Sequence, residues 1–149
     1  MNEKHNHTRA RLMLLVEDNR GESLLMIESL NEHRAVGSIS VVEDGEEAMA
    51  FLRREGIYSN APRPDIILLD LNMPRKDGRQ VLLEIKVDPK LRRIPVIIVS
   101  SSDAPEDIAK TYELGANAYL SKPVDLDEFL AMVKSLVSFW LDFAKLPRN

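Results

Sequence analysis

Five polar positions stand where short apolar runs stop: the acid pair Glu17-Asp18, the lone acid Asp70, the hydroxyl of Ser100 and, just past a fifth run, Lys122. A hydrophobic core needs none of them. Gathered in one cleft, Glu17, Asp18 and Asp70 would form three mutually repelling carboxylates, a costly arrangement unless a cation neutralises them. Such oxygen donors suit a hard ion, Mg²⁺ or Mn²⁺. Magnesium keeps several waters and takes one or two carboxylates together with a phosphate oxygen. Lys122 adds a point charge able to pair with Asp70 at rest and with a phosphoryl group afterwards. Ser100 offers a hydroxyl to a phosphoryl oxygen. A carboxylate nucleophile, a metal, a lysine and a hydroxyl make a phosphoryl-transfer set, whose work is positioning and charge neutralisation.

Taken singly, each residue has a plainer reading. Asp18 suits a helix cap, Ser100 a turn and Lys122 a solvated charge. Asp70 is harder to dismiss, because an acid closing an apolar strand points out of the core. It is the joint placement at strand ends that carries the chemical reading.

The elements that must position these residues are legible from periodicity. Leu12-Met13-Leu14-Leu15-Val16, Asp65-Ile66-Ile67-Leu68-Leu69-Asp70 and Pro95-Val96-Ile97-Ile98-Val99 are continuous apolar runs, the pattern of strands buried on both faces. Ser38 to Val42 is a weaker strand, and Ala118-Tyr119-Leu120 is a short fifth one. Between them, Leu24, Leu25, Ile27 and Leu30 follow helical spacing, ending near His33. Asp44 with Glu47 has a capping-box spacing ahead of a second helix carrying Ala48, Phe51 and Leu52. Pro62 and Pro64 punctuate a loop over 56–64. Residues 73–78 form a turn before a helix marked by Val81, Leu82 and Ile85. Pro105 begins a further helix that Gly115 stops, and Asp125 with Glu128 opens the last, which carries Phe129, Met132, Val133 and Leu136. Alternating strands and helices predict an α/β fold, a doubly wound five-stranded parallel sheet with five helices. Ligands of such sheets sit beyond the carboxyl ends of the strands, where the five polar positions fall.

Composition narrows the functions. The formal charge is −4, from 24 acidic against 20 basic residues, and no basic stripe interleaved with aromatics occurs, so nucleic acid is not the expected partner. With no cysteine there is no disulfide, thiolate metal site or cysteine nucleophile. Met1 to Arg11 lacks the apolar core of a signal peptide, and no run approaches the ~20 residues that span a bilayer. A cytoplasmic protein without membrane contact is expected. Residues 1–10 read as a flexible tail in which His5 and His7 are too few for a metal site.

Over residues 11–138 the chain resembles the receiver (response-regulator) domains of two-component signalling. The matching pieces are Leu15-Val16-Glu17-Asp18-Asn19, Asp65 to Pro74 with Asp77-Gly78, Val99-Ser100-Ser101, and Gly115-Ala116 leading to Tyr119-Leu120-Ser121-Lys122-Pro123. The resemblance implies a flavodoxin-like sheet of order 2-1-3-4-5 and a phosphoryl group accepted by Asp70 from a sensor histidine kinase. It also implies Mg²⁺ held by Asp18, Asp70 and the main-chain carbonyl of Asn72, with Glu17 acting mostly through a metal-bound water. Ser100, where the family often has Thr, and Lys122 would hold phosphoryl oxygens. Tyr119 would be the switch aromatic, and the Lys122–Pro123 bond would be cis. Asn72 and Ser102 would flank the positions that tune a slow self-dephosphorylation.

A closer resemblance is to the single-domain regulators of bacterial and cyanobacterial phytochromes. It rests on the loop Glu55–Pro64, Tyr112 to Asn117, Pro123 to Phe129 and the tail Phe139-Trp140 to Leu146-Pro147. No output domain is expected after residue 138, so output would be altered contact with a downstream protein of unknown identity. The aromatic extension 139–149 either packs on its own domain or joins the last helix in a homodimer. Two enzyme-like or ligand-binding alternatives fare worse. A haloacid-dehalogenase-like phosphatase needs a second acid where Asn72 stands, and no glycine-rich phosphate loop follows the first strand. A scaffold receiver without phosphorylation has no need of the intact acids, Ser100 and Lys122.

Overall fold

A computed structural model describes residues 10–147; the expected N-terminal tail, with His5 and His7, lies outside them apart from Ala10. Five strands, β1 (Arg11–Val16), β2 (Val36–Val42), β3 (Ile66–Leu69), β4 (Val96–Ser100) and β5 (Ala118–Ser121), alternate with five helices. These are α1 (Arg20–Asn31), α2 (Gly45–Arg53), α3 (Gly78–Val87), α4 (Pro105–Glu113) and α5 (Leu126–Val137). All neighbouring strands run parallel, in the order β2-β1-β3-β4-β5. That is the order the family resemblance implied.

The continuous apolar runs are what a sheet covered on both faces requires. Successive side chains alternate between two cores. Leu14, Val16, Ile67, Leu69, Val96 and Ile98 pack with Ala48, Phe51 and Leu52 of α2 and with Val81, Leu82 and Ile85 of α3. Met13, Leu15, Ile66, Leu68, Ile97 and Val99 face Met26 and Leu30 of α1 and Phe129, Val133 and Leu136 of α5. All four β3 residues are fully buried. At about 1.5–3 kcal/mol for each large aliphatic side chain removed from water, these central strands dominate the driving force. The fifth strand lies at an edge, as the order 2-1-3-4-5 requires, and its four residues are all only half-buried.

Helix starts follow their capping residues. Asp44 accepts from Glu47 N at 2.9 Å, and Glu47 reaches back to Glu43 N at 2.9 Å, one residue earlier than the usual reciprocal bond. Asp125 caps α5 through Glu128 N at 3.0 Å, and Asp77 caps α3. Pro105 occupies the first turn of α4, and Gly115, with φ +108°, ends it. Within the expected loop, Gly56–Tyr58 form a 3₁₀ turn, anchored by packing of the Tyr58 ring on Phe51 at 5.4 Å.

One expectation is revised. No peptide bond among the described residues is cis, so Lys122–Pro123 is trans, the form an X–Pro bond favours on its own. The described residues of the extension pack on their own domain, one of the two readings the sequence allows. A π-helical segment, Ser138–Phe143, continues α5, buries Leu141, packs Trp140 and Leu146 on the α1–α5 core, and is tied to the end of α1 by a 3.0 Å contact between His33 and Asp142.

Gly78 shows how tightly the fold holds the region of interest. Its amide donates to Leu71 O at 2.9 Å, and a Cβ here would run into the Asp70 carbonyl oxygen and lie 2.7 Å from Leu71 Cα. Both neighbours are backbone and cannot swing away. Gly78→Ala is expected to destabilise the chain by at least about 1–3 kcal/mol, read by equilibrium urea unfolding. Unchanged stability would mean that the α3 start is free to shift.

Candidate functional site

Three of the five polar positions are held by main-chain hydrogen bonds that prolong the sheet ladder beyond its strands. Glu17 N donates to Val42 O at 3.0 Å, Asp70 N to Val16 O at 3.0 Å, and Lys122 N to Ser100 O at 2.7 Å. Main-chain pairing thus sets side chains from β1, β3, β4 and β5 at one sheet end. Carboxylate oxygens of Glu17, Asp18 and Asp70 all lie within 4.8 Å of one another. Glu17 and Asp70 are buried at 5% and 8% exposure, while Asp18 faces solvent.

Asp18 is free for this role because the neighbouring residue takes the helix cap. Asn19 Oδ1 accepts from Glu22 N at 2.9 Å. Glu17 is oriented in turn by Asn19 N, which donates to Oε2 at 3.1 Å.

Lys122 Nζ reaches into the acids, forming the expected ion pair with Asp70 and closer bonds to two glutamates besides. It donates to Glu17 Oε1 at 2.8 Å and to Glu22 Oε1 at 2.5 Å, and stands 3.7 Å from Asp70 Oδ1. Glu22 is the functional neighbour that sequence reasoning missed. The available signal was its place in the first turn of α1, one turn beyond the acid pair, but a first-turn acid is ordinarily explained by the helix dipole.

These contacts set the proton affinities. Burial, reinforced by the charge of Glu17, pushes the Asp70 carboxyl up from 3.8 to about 6; Lys122 opposes this and Asp18 adds to it. Burial also raises Glu17, against its bond to Lys122. For Lys122, burial works to lower the ammonium, yet its bonds to Glu17 and Glu22 and the charge of Asp70 outweigh burial and hold it above the lysine range. One lysine therefore under-compensates the buried acids. A cluster of hard oxygen donors left with excess negative charge fits a small divalent cation.

Ser100, fully buried at the end of β4, accepts at Oγ from Ser102 N at 3.2 Å. Half-buried Tyr119 donates its hydroxyl to Ser102 O at 2.9 Å. Ser102 Oγ donates to Asp107 at 2.7 Å, which pairs with Arg79 at 2.7 Å. Those two bonds hold the Asp107 carboxyl below its ordinary range. The serine and the tyrosine thus meet on one loop. Asn72, two residues past Asp70, is exposed.

Comparison with known proteins agrees with this geometry. The family model for the response regulator receiver domain matches residues 13–134. Response regulator Rcp1 of Synechocystis is 45% identical over 137 residues, spanning 92% of this chain and 93% of that protein. Among solved structures, the phosphorylated cyanobacterial phytochrome response regulator RcpA is 47% identical with a TM-score of 0.90, covering 93% of this chain and 99% of that one. The Mn²⁺-bound form of Rcp1 is 45% identical with a TM-score of 0.88, at the same coverage. Matched by the family model from its first strand into its last helix, and homologous to the phytochrome response regulators Rcp1 and RcpA, the chain belongs to the response regulator receiver domain family.

Proposed function

We propose that Asp70 is the phosphoacceptor, charged by a sensor histidine kinase of the phytochrome type. The observation that carries this is the meeting of three carboxylates from β1 and β3 with the Lys122 ammonium at 3.7 Å from Asp70. In the transfer, an Asp70 carboxylate oxygen forms the bond to phosphorus as the bond from phosphorus to the donor imidazole nitrogen breaks. The electron pair stays on the imidazole, which takes up a proton.

Glu17, Asp18, Asp70 and the Asn72 carbonyl are the groups that would hold Mg²⁺ or Mn²⁺, with Glu17 acting mostly through water. A bound ion supplies charge neutralisation for the carboxylates and the incoming phosphoryl oxygens. Lys122 moves from its glutamate partners to a phosphoryl oxygen, and Ser100 gives up its bond from Ser102 N to donate its hydroxyl there. Tyr119, hydrogen-bonded to the same loop, follows, and the surface around α4 and β5 changes shape for a downstream protein. Slow self-dephosphorylation, with Asn72 and Ser102 flanking the acceptor, resets it. The setting is cytoplasmic, without nucleic acid or membrane as partners. No described helix is long and apolar enough to cross a bilayer.

Incubation with acetyl phosphate and Mg²⁺, followed by intact-mass measurement, is expected to add one labile phosphoryl group to the native chain and none to Asp70→Asn. Equal labelling of the variant would remove the assignment.

We also propose a homodimer through α5 and the tail. Phe139 and Phe143 stand 56% and 73% exposed at the C-terminal end of the helical run, and Leu126 and Leu130 are exposed further back along α5, so this helix and its continuation present several large apolar side chains to solvent. Sedimentation should show dimer at high micromolar concentration, with Phe139→Ser/Phe143→Ser monomeric. A native chain that stays monomeric with and without acetyl phosphate would refute it.

A further inference from the structure

At the sheet end opposite the acids lies a cleft of about 710 Å³. Its walls come from the C-terminal end of α2, from Arg63 ahead of β3 and from the loop between α3 and β4. The floor is apolar, made by the buried side chains of Leu52 and Leu91 with Pro89 beside them. The charge is concentrated and one-sided. Arg53, Arg54, Arg63, Lys90 and Arg93 line it, against the acids Glu55 and Asp88.

Local needs absorb only part of that charge. Arg53 pairs with Glu84 at 3.3 Å, and Arg63 donates to the Lys90 carbonyl, tying the two walls together. Asp88 is occupied as a turn acceptor for Lys90 N at 2.8 Å. The Arg54, Lys90 and Arg93 side chains have no carboxylate within ion-pair distance among the described residues. Three uncommitted cations facing one cleft are unexpected in a chain with net charge −4.

Arg54 adds an independent sign. It ends α2 at φ +58°, ψ +50°, the left-handed conformation that favours glycine and is strained for a long side chain. Stability alone would place glycine there. An arginine presents a guanidinium to the cleft at the expense of backbone comfort.

We propose that this cleft docks an acidic, leucine-bearing peptide segment of a partner protein. Carboxylates spaced along an extended peptide can reach Arg54, Lys90 and Arg93 while an apolar side chain between them settles on Leu52 and Leu91. A continuous phosphate backbone fits less well. It has no use for the apolar floor that Leu52, Pro89 and Leu91 provide. Because the cleft is at the far end of the strands from Asp70, docking and phosphorylation proceed independently, so the partner is held in both signalling states.

The test uses the full chain and a short fluorescein-labelled peptide alternating glutamate with leucine. Fluorescence anisotropy should show saturable binding that weakens with salt, and amide resonances of residues 52–55 and 88–93 should move while those of 17, 18 and 70 stay in place. Arg54→Glu with Arg93→Glu should weaken binding at least tenfold and leave acetyl-phosphate labelling of Asp70 unchanged. Arg54→Gly gives a reading that misfolding cannot imitate: the melting temperature should rise while peptide affinity falls several-fold. Peptide affinity unaffected by these variants, resonance changes scattered over all basic surfaces, or tighter cleft binding by tripolyphosphate or duplex DNA would overturn the proposal.

Discussion

Asp70→Asn is expected to make the protein more stable in the absence of divalent ions, even as it abolishes phosphoryl acceptance. Burial and the neighbouring Glu17 raise the folded-state carboxyl to about 6 from an ordinary 3.8. A carboxyl raised on folding opposes folding whenever it is ionised. Below pH ~3.8 it is protonated in both states and contributes nothing. From there to pH ~6 the cost grows, and above pH ~6 it is present in full. At about 1.4 kcal/mol for each tenfold change in proton affinity, the buried charge costs on the order of 2–3 kcal/mol at neutral pH, or ~5–10 °C in Tm for a domain of this size. Thermal unfolding from pH 4 to 8 in EDTA should show the gap between variant and native chain opening with pH. Saturating Mg²⁺ should stabilise the native chain and narrow the gap, since a cation bound only by the folded state adds stability by mass action. A variant no more stable than the native chain at pH 8 in EDTA would show that Asp70 is not the strained charge.

Lys122→Ala should have the opposite effect. Its ammonium is only 10% exposed and serves Glu17 and Asp70 together, with Glu22 as a third partner. Removing it leaves two buried carboxylates without a protein cation, a change that ordinarily costs about 3–5 kcal/mol. Urea unfolding at neutral pH in EDTA measures this, and the chain should accumulate little phosphoryl group from acetyl phosphate. Adding Asp70→Asn to Lys122→Ala should recover about 1–3 kcal/mol more than the single effects predict, because the two residues interact directly through their charges. Strict additivity would separate them. Either result also bears on Glu22, whose bond to Lys122 competes with Asp70 for the same ammonium.

Much of this pocket is legible in the sequence for a definite reason. Apolar runs such as Ile66–Leu69 declare strands covered on both faces, and a parallel sheet sends all its strand ends to one side. Glu17, Asp70, Ser100 and Lys122 could therefore be placed together although 105 positions separate the first from the last. Caps with short-range logic, Asp44 and Asp125, were equally readable. What escaped depends on side-chain choice among near-equal partners. Asn19, not Asp18, takes the α1 cap, and Lys122 prefers the two glutamates to Asp70. The half-burial of β5 does not follow from Ala118-Tyr119-Leu120 taken alone; it follows from the edge place that the order 2-1-3-4-5 gives this strand. The tail divides in two, Trp140 and Leu141 inward against Phe139 and Phe143 outward, as a helical continuation of α5 dictates.

The edge position of β5 has a consequence for how the site comes apart. The acids rest on β1 and β3, in the middle of the sheet, where opening requires global unfolding. Lys122 and Tyr119 hang on a four-residue strand paired with β4 alone. Sub-global fluctuations begin at such margins, so amide exchange should be faster at 118–121 than at 66–69. Each brief detachment of that margin withdraws the lysine while the carboxylates stay in place. Exchange at 118–121 that outpaces 66–69 would mark a disarmed form with its acidic cage intact, its population set by the grip of one short ladder.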